Sequence, residues 1–277
     1  MYPLYEFGGS GPIIHVAVAN GFPPATYAPV VQPFTDQYRV VSLLPRALWP
    51  GEQPPNELRQ WDMLADDLLA GMEAHGLEDV IAIGHSFGAT ASMIAAVRQP
   101  RRFRALCLLD PMLFRPEWAE GFEQMQRDGT IREFPLAQGA LRRRSQFEDA
   151  QTAFDYFRGK KLFGDWPDSA LWLYVNAGTR PAAGGGLELV WPPEWEAYYF
   201  MTAFTRSWEV APKLRGQLPV LAVRGVESDG FVAEIGAMLH DILPDMEYVE
   251  IEGYGHLFPQ AAPEKTHAVI ADWLQRI

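Results

Sequence analysis

Apolar residues recur along the chain in two rhythms. Short, nearly unbroken runs rich in Val, Ile and Leu stand at residues 13–19, 39–43, 80–83, 104–109, 220–223 and 247–251. Runs of that length without polar alternation predict strands covered on both faces, the habit of a parallel sheet. Between them lie longer segments with helical spacing. Across residues 58–75, Trp61, Leu64, Ala65, Leu68, Leu69 and Met72 share one face, and His75-Gly76 has the composition of a helix end. Residues 89–97, 232–243 and 264–274 predict further helices. Alternation of this kind predicts an α/β fold with a mostly parallel central sheet flanked by helices.

The alternation stops after Asp110-Pro111 and resumes at Leu218-Pro219. The intervening stretch shows no convincing buried strand. Residues 145–157, 168–175 and 193–208 predict helices, interrupted by Gly184-Gly185-Gly186 and Trp191-Pro192-Pro193. A helical block between two strands of one sheet predicts a lid or cap. The chain then divides into a core of residues 1–111 plus 213–277 and an α-helical cap of residues 112–212.

Composition narrows the partners. The 277 residues are 48% apolar and 21% charged, which excludes a disordered chain. A net charge of −12 argues against nucleic acid or an anionic membrane as partner, since both select a cationic face. The single cysteine, Cys107, excludes an internal disulfide framework and a cysteine-based metal cluster, and it fits a reducing compartment. Neither a leader pattern nor a spanning segment is visible, so a cytoplasmic protein, monomer or homodimer, is expected.

Candidate chemistry gathers at four places. Gly84-His85-Ser86-Phe87-Gly88 follows a predicted strand and opens a small-residue helix. A sharp strand-to-helix turn of this kind projects a serine hydroxyl from the sheet edge. A hydroxyl needs a base, and His256, in Gly255-His256 after the last strand, is the candidate; the other five histidines fall within strands, on helices or beside the serine. The base needs a carboxylate. Asp229, beyond the strand at 220–223, is preferred, with Glu227 in the same loop and Asp110 at a strand end as alternatives. Ser86, Asp229 and His256 then stand in the chain order of a nucleophile elbow. Backbone donors for an oxyanion are expected at Phe87 and at Phe22 in Ala19-Asn20-Gly21-Phe22.

Together these motifs resemble the α/β-hydrolase superfamily, over essentially residue 13 to the C-terminus. The resemblance implies Ser86 as nucleophile, His256 as base, Asp229 as acid and the Phe22 and Phe87 amides as oxyanion hole, with no metal or organic cofactor. Asn20 stands where many members carry histidine, which puts the bracing of that loop in question. The segment 112–212 holds 19 of the 35 aromatic residues, compatible either with an apolar chamber over Ser86 or with the cap's own core. Trp191, Trp195, Tyr198 and Tyr199 are the candidate substrate-binding residues. Arg142-Arg143-Arg144 reads as a solvated helix face rather than a carboxylate clamp, and Gly184 to Gly186 as a flexible surface loop.

The expected reaction is hydrolysis of a small or medium, largely apolar carboxylic ester through an acyl-enzyme. Its rate is expected to rise through an apparent pKa of about 6 to 7. The same residues suit a lactone, an amide or a carbon–carbon bond next to a ketone. A non-catalytic small-molecule binder on the same fold is the alternative from another class.

Overall fold

The computed structural model describes residues 2–164 and 166–277. Seven strands form the central sheet in the order β1-β3-β2-β4-β5-β9-β10: β1 (Leu4–Gly8), β2 (Ile13–Ala17), β3 (Arg39–Leu43), β4 (Val80–His85), β5 (Phe103–Leu109), β9 (Val220–Gly225) and β10 (Glu247–Ile251). Every neighbouring pair is parallel except β1 with β3. The inner strands β4 and β9 are buried along their whole length, as their unbroken apolar runs require. The six strands read from apolar runs are all present. The antiparallel edge strand β1 escaped the pattern because its residues are half-exposed and bear Glu6 among apolar neighbours.

Helices cover the sheet: α1 (Asp62–Ala74), α2 (Phe87–Arg98), and after the insertion α8 (Ala233–Ile242) and α9 (Pro263–Leu274). The chain leaves β2 for β3 on one side and returns to β4 on the other. The ends of β2 and β4 therefore flank a topological switch point, where the carboxyl ends of strands open a crevice.

Between β5 and β9 the insertion carries α3 (Pro116–Arg127), α4 (Pro135–Leu141), α5 (Ala150–Arg158), α6 (Asp168–Gly178) and α7 (Pro193–Met201). It is not all-helical as expected. Strands β6 (Gln146–Phe147), β7 (Thr179–Pro181) and β8 (Leu187–Leu189) form a small antiparallel sheet. Two- and three-residue strands are too short to show a period of two in sequence. Gly184 to Gly186 is the turn of the β7–β8 hairpin rather than a loose loop, closed by Ala182 N–H donating to Gly186 O at 3.1 Å. Gly186 has φ 72°, and a Cβ there would stand 2.4 Å from Phe147 O. No helix among the described residues is long and apolar enough to cross a membrane.

Candidate active site

Strand register brings the candidate groups to one rim. Ala17 pairs with Gly84, His85 with Leu109, and Leu109 with Val223, so Ser86 and Asp110 each stand one residue beyond aligned strand ends. Ser86 has φ 56° and ψ −122°, outside the ordinary regions for a side-chain-bearing residue. Small neighbours make the turn feasible. A Cβ on Gly84 would fall 2.5 Å from Ala89 Cα, and one on Gly88 2.4 Å from Ala17 O. Ser86 N–H donates to Leu109 O at 3.0 Å, which ties the turn to β5.

Ser86 Oγ lies 2.9 Å from His256 Nε2, and His256 Nδ1 lies 2.7 Å from Asp110 Oδ1. Asp110, not Asp229, is thus the carboxylate against the imidazole. It is fully buried, accepts Gly225 N–H on Oδ2 at 3.0 Å, and accepts the Ser228 hydroxyl on Oδ1. The physical reason is position. Asp110 follows β5 directly at the rim beside Ser86, whereas Asp229 is four residues out along the loop after β9. That loop curls so that Ser228 turns in toward Asp110, while Asp229 is exposed in the cavity wall. Glu227, the other loop carboxylate considered, is exposed, and its backbone N–H donates to Tyr254 O at 3.0 Å. Strand order, invisible in one sequence, decided between these carboxylates.

The charges set the base. Burial alone would lower the His256 pKa, but the Asp110 hydrogen bond and charge, with a smaller pull from Asp229, outweigh it and hold the pKa above its ordinary 6.5. The Asp110 oxygens accept from Gly225 N–H and the Ser228 hydroxyl; with His256 Nδ1–H donating to Oδ1 as well, Nε2 is left to accept the Ser86 proton.

Phe87 opens α2 directly after Ser86, so its N–H is among those without an intrahelical acceptor. The Phe22 amide is placed differently. It closes the turn Ala19–Phe22 by donating to Ala19 O at 3.1 Å, with Gly21 at φ 86°. Asn20 answers how this turn is braced: its Nδ2 donates to Glu196 O, 2.9 Å away in α7.

A cavity of about 1140 Å³ opens over Ser86 and His256. Its wall is largely apolar and comes mostly from the insertion, including Phe114, Phe122, Phe134, Phe157 and Phe163. The four aromatic residues singled out from sequence are elsewhere. Trp191, Trp195, Tyr198 and Tyr199 are buried behind the wall, where Tyr199 packs on Phe87 with ring centroids 5.1 Å apart. Trp195 Nε1 donates to Glu52 O at 3.1 Å and Tyr198 Oη to Glu57 O at 3.0 Å, so this cluster docks α7 on the core. Proline-flanked aromatics marked a packing layer, not a binding surface.

Arg143 also departs from expectation. Arg142 and Arg144 are exposed, but the Arg143 side chain is only 14% exposed, pairs with Glu196 and Tyr174, and faces the cavity beside Gly21. No group of His, Cys, Asp or Glu among the described residues is arranged to hold a metal ion.

Comparison with known proteins agrees with this architecture. A 2-(acetamidomethylene)succinate hydrolase of Mesorhizobium japonicum is 24% identical over 274 residues, spanning 96% of this chain and 89% of its own. The crystal structure of E-2-(acetamidomethylene)succinate hydrolase superposes with a TM-score of 0.77 at 23% identity, covering 98% of this chain and 94% of the other. An enol-lactonase from Burkholderia xenovorans has a TM-score of 0.68 at 18% identity, covering 99% and 96%. The family model for the alpha/beta hydrolase fold matches residues 16–259, and the chain belongs to that family.

Proposed function

We propose that the protein is a serine hydrolase that cleaves a small or medium, largely apolar carboxylic ester. The observation that carries this reading is the continuous relay from Ser86 through His256 to Asp110 at the floor of an apolar cavity. His256 Nε2 takes the Ser86 proton as Oγ attacks the ester carbonyl, and the Phe87 N–H donates to the oxyanion that forms. The Phe22 N–H is the second donor, shared with or released from Ala19 O. Collapse expels the alcohol, which receives the proton from His256 and leaves an acyl group on Ser86. Water, deprotonated by His256, then releases the acid and restores the serine. The segment 112–212 acts as the cap that shapes the chamber.

A second reading has its own support. The Arg143–Glu196 pair with Tyr174 sets a polar spot in the apolar wall beside the oxyanion turn. Guanidinium donors there suit a substrate that carries a carbonyl or carboxylate near the scissile bond. Hydrolysis of an amide or lactone of such a compound uses the same relay, and the relatives named as a 2-(acetamidomethylene)succinate hydrolase and an enol-lactonase point the same way.

The test is a panel of p-nitrophenyl esters, lactones, amides and vinylogous diketones assayed beside Ser86→Ala. Preferred turnover of neutral esters supports the first reading, and preferred turnover of carboxylate-bearing amides or lactones replaces it with the second. No turnover, together with no labelling of Ser86 by a fluorophosphonate, favours a binding protein.

A further inference from the structure

A histidine that the proposed reaction does not use lies against the relay. His85 ends β4, immediately precedes Ser86 and is 1% exposed. Both of its ring nitrogens are occupied. Nδ1 lies 2.7 Å from Tyr27 Oη, and Nε2 lies 2.9 Å from the backbone carbonyl oxygen of His256.

Proton accounting gives these bonds a direction. A carbonyl oxygen can only accept, so Nε2 carries the hydrogen. The Ala19 N–H donates to Tyr27 Oη at 2.8 Å, so the phenol's own hydrogen is free for His85 Nδ1, which accepts. One chain results: Ala19 N–H to Tyr27 Oη–H to His85 Nδ1, then His85 Nε2–H to His256 O. Adding a proton to His85 would set two donors on the Tyr27 oxygen and turn the phenol hydrogen away from the ring. Burial and the neighbouring His256 charge act in the same sense, holding the His85 pKa well below 6.5. Tyr27 is fully buried too, and desolvation pushes its phenol pKa up, against ionisation.

The two ends of this chain are informative. Ala19 begins the turn that carries the Phe22 amide, and His256 is the base. Between them stands the residue next to the nucleophile. We propose that Tyr27 and His85 are positioning residues, forming a hydrogen-bonded bridge of fixed direction that holds the His256 loop and the Ala19–Phe22 turn in register with Ser86. The proposal rests on the reading of Ser86 and His256 given above.

The experiment counts turnover of short p-nitrophenyl esters per serine that a fluorophosphonate labels, so misfolded protein drops out of the count. Tyr27→Phe and His85→Leu are expected to lower kcat per labelled site about tenfold with KM held within about twofold. In His85→Gln the side-chain amide can donate to His256 O and accept from Tyr27, and turnover is expected to recover to within about threefold. Wild-type turnover per labelled site in both Tyr27→Phe and His85→Leu overturns the bridge. A labelled protein that turns over no ester removes the ester reading alone, since the labelling rate still registers the bridge. Nitrogen-15 NMR of the wild type reads it without any activity or any variant. His85 is expected as the neutral Nε2–H tautomer from about pH 5.5 to 8. An Nδ1–H tautomer, or titration inside that window, overturns the proposal.

Discussion

The core and the insertion build the same cavity by different means. The core contributes Ser86, His256 and Asp110, and it ties the backbones of Ser86 and Asp110 into the strand ladder. Ser86 N–H donates to Leu109 O, and Asp110 N–H donates to Val223 O at 2.7 Å. The insertion contributes wall side chains carried on short helices and three minimal strands, seated on the core through the Trp191–Tyr199 layer against Phe87. Along the cavity it leaves Trp118, Leu136 and Leu162 half or more exposed. Atoms held by backbone hydrogen bonds on adjacent strands have little freedom to shift. A packed aromatic wall can be reshaped one side chain at a time. Substitutions in the core are therefore expected to change turnover of every substrate, and substitutions in the insertion to change which substrate is preferred.

The largest effects test the core half of that contrast. Ser86→Ala is expected to lower kcat at least about 10⁴-fold, and Asp110→Asn about 10³- to 10⁴-fold, because the amide can no longer hold the imidazole in the accepting tautomer. Asp229→Asn is expected to cost roughly threefold or less, since an exposed charge acting through space is screened. Steady-state kinetics on one ester ranks the three. Equal losses in Asp110→Asn and Asp229→Asn would refute the assignment of Asp110 as the orienting carboxylate.

A pH profile sharpens the same point. His256 accepts a proton only when neutral, so turnover rises with pH, and its raised pKa sets the midpoint above 6.5. Asp110→Asn removes the chief raising influence and leaves burial to dominate. The midpoint of its residual activity is therefore expected to fall below 6.5, and that of Asp229→Asn to move down by less. An unmoved midpoint in Asp110→Asn would assign the acidic limb to another group.

The insertion half of the contrast is tested at its wall. Phe134 is partly buried, packs on Phe122 with ring centroids 5.4 Å apart, and faces the cavity. Phe134→Ala is expected to lower kcat/KM for aromatic or long-chain esters about tenfold and to leave acetate esters within about twofold. Uniform loss across the panel would show that the wall also positions the core groups.

The division between regions also governs what the sequence revealed. In the core, the inner strands are runs of apolar residues buried on both faces, and the positions of Gly84 and Gly88 have steric demands that only small residues meet. Local chemistry and final structure agree there, and Ser86 and His256 were found where the pattern placed them. The choice of Asp110 over Asp229 depended on β5 lying next to β4, a fact of strand order carried by no local signal. In the insertion, aromatic density was visible but its direction was not. Trp195 and Phe163 differ in role only by which side of a packed layer they face. Likewise Arg142, Arg143 and Arg144 form one basic run, and among them only Arg143 is drawn out of solvent, by its pairing with Glu196 and Tyr174.

The smallest effects separate the two regions through glycine. Gly88 and Gly186 would each place a Cβ 2.4 Å from a backbone oxygen, of Ala17 and Phe147 respectively. Gly88 lies under the serine turn, so its replacement disturbs the site itself. Gly186 lies in the β7–β8 hairpin, whose strands belong to the small sheet and not to the sheet that carries Ser86 and Asp110. Gly186→Ala is therefore expected to lower Tm by about 4 °C or more while acetate-ester turnover per labelled serine stays within about twofold. Two residues earlier, Gly184 has open space around its Cβ position and no left-handed φ. Alanine there restricts the unfolded chain without a clash, and Gly184→Ala is expected to raise Tm by about 1–2 °C. Thermal scans of the two variants read the pair directly. A loss of acetate-ester turnover in Gly186→Ala would mean that the small sheet helps to hold the relay, and the boundary between chemistry and wall would have to be redrawn inside the insertion.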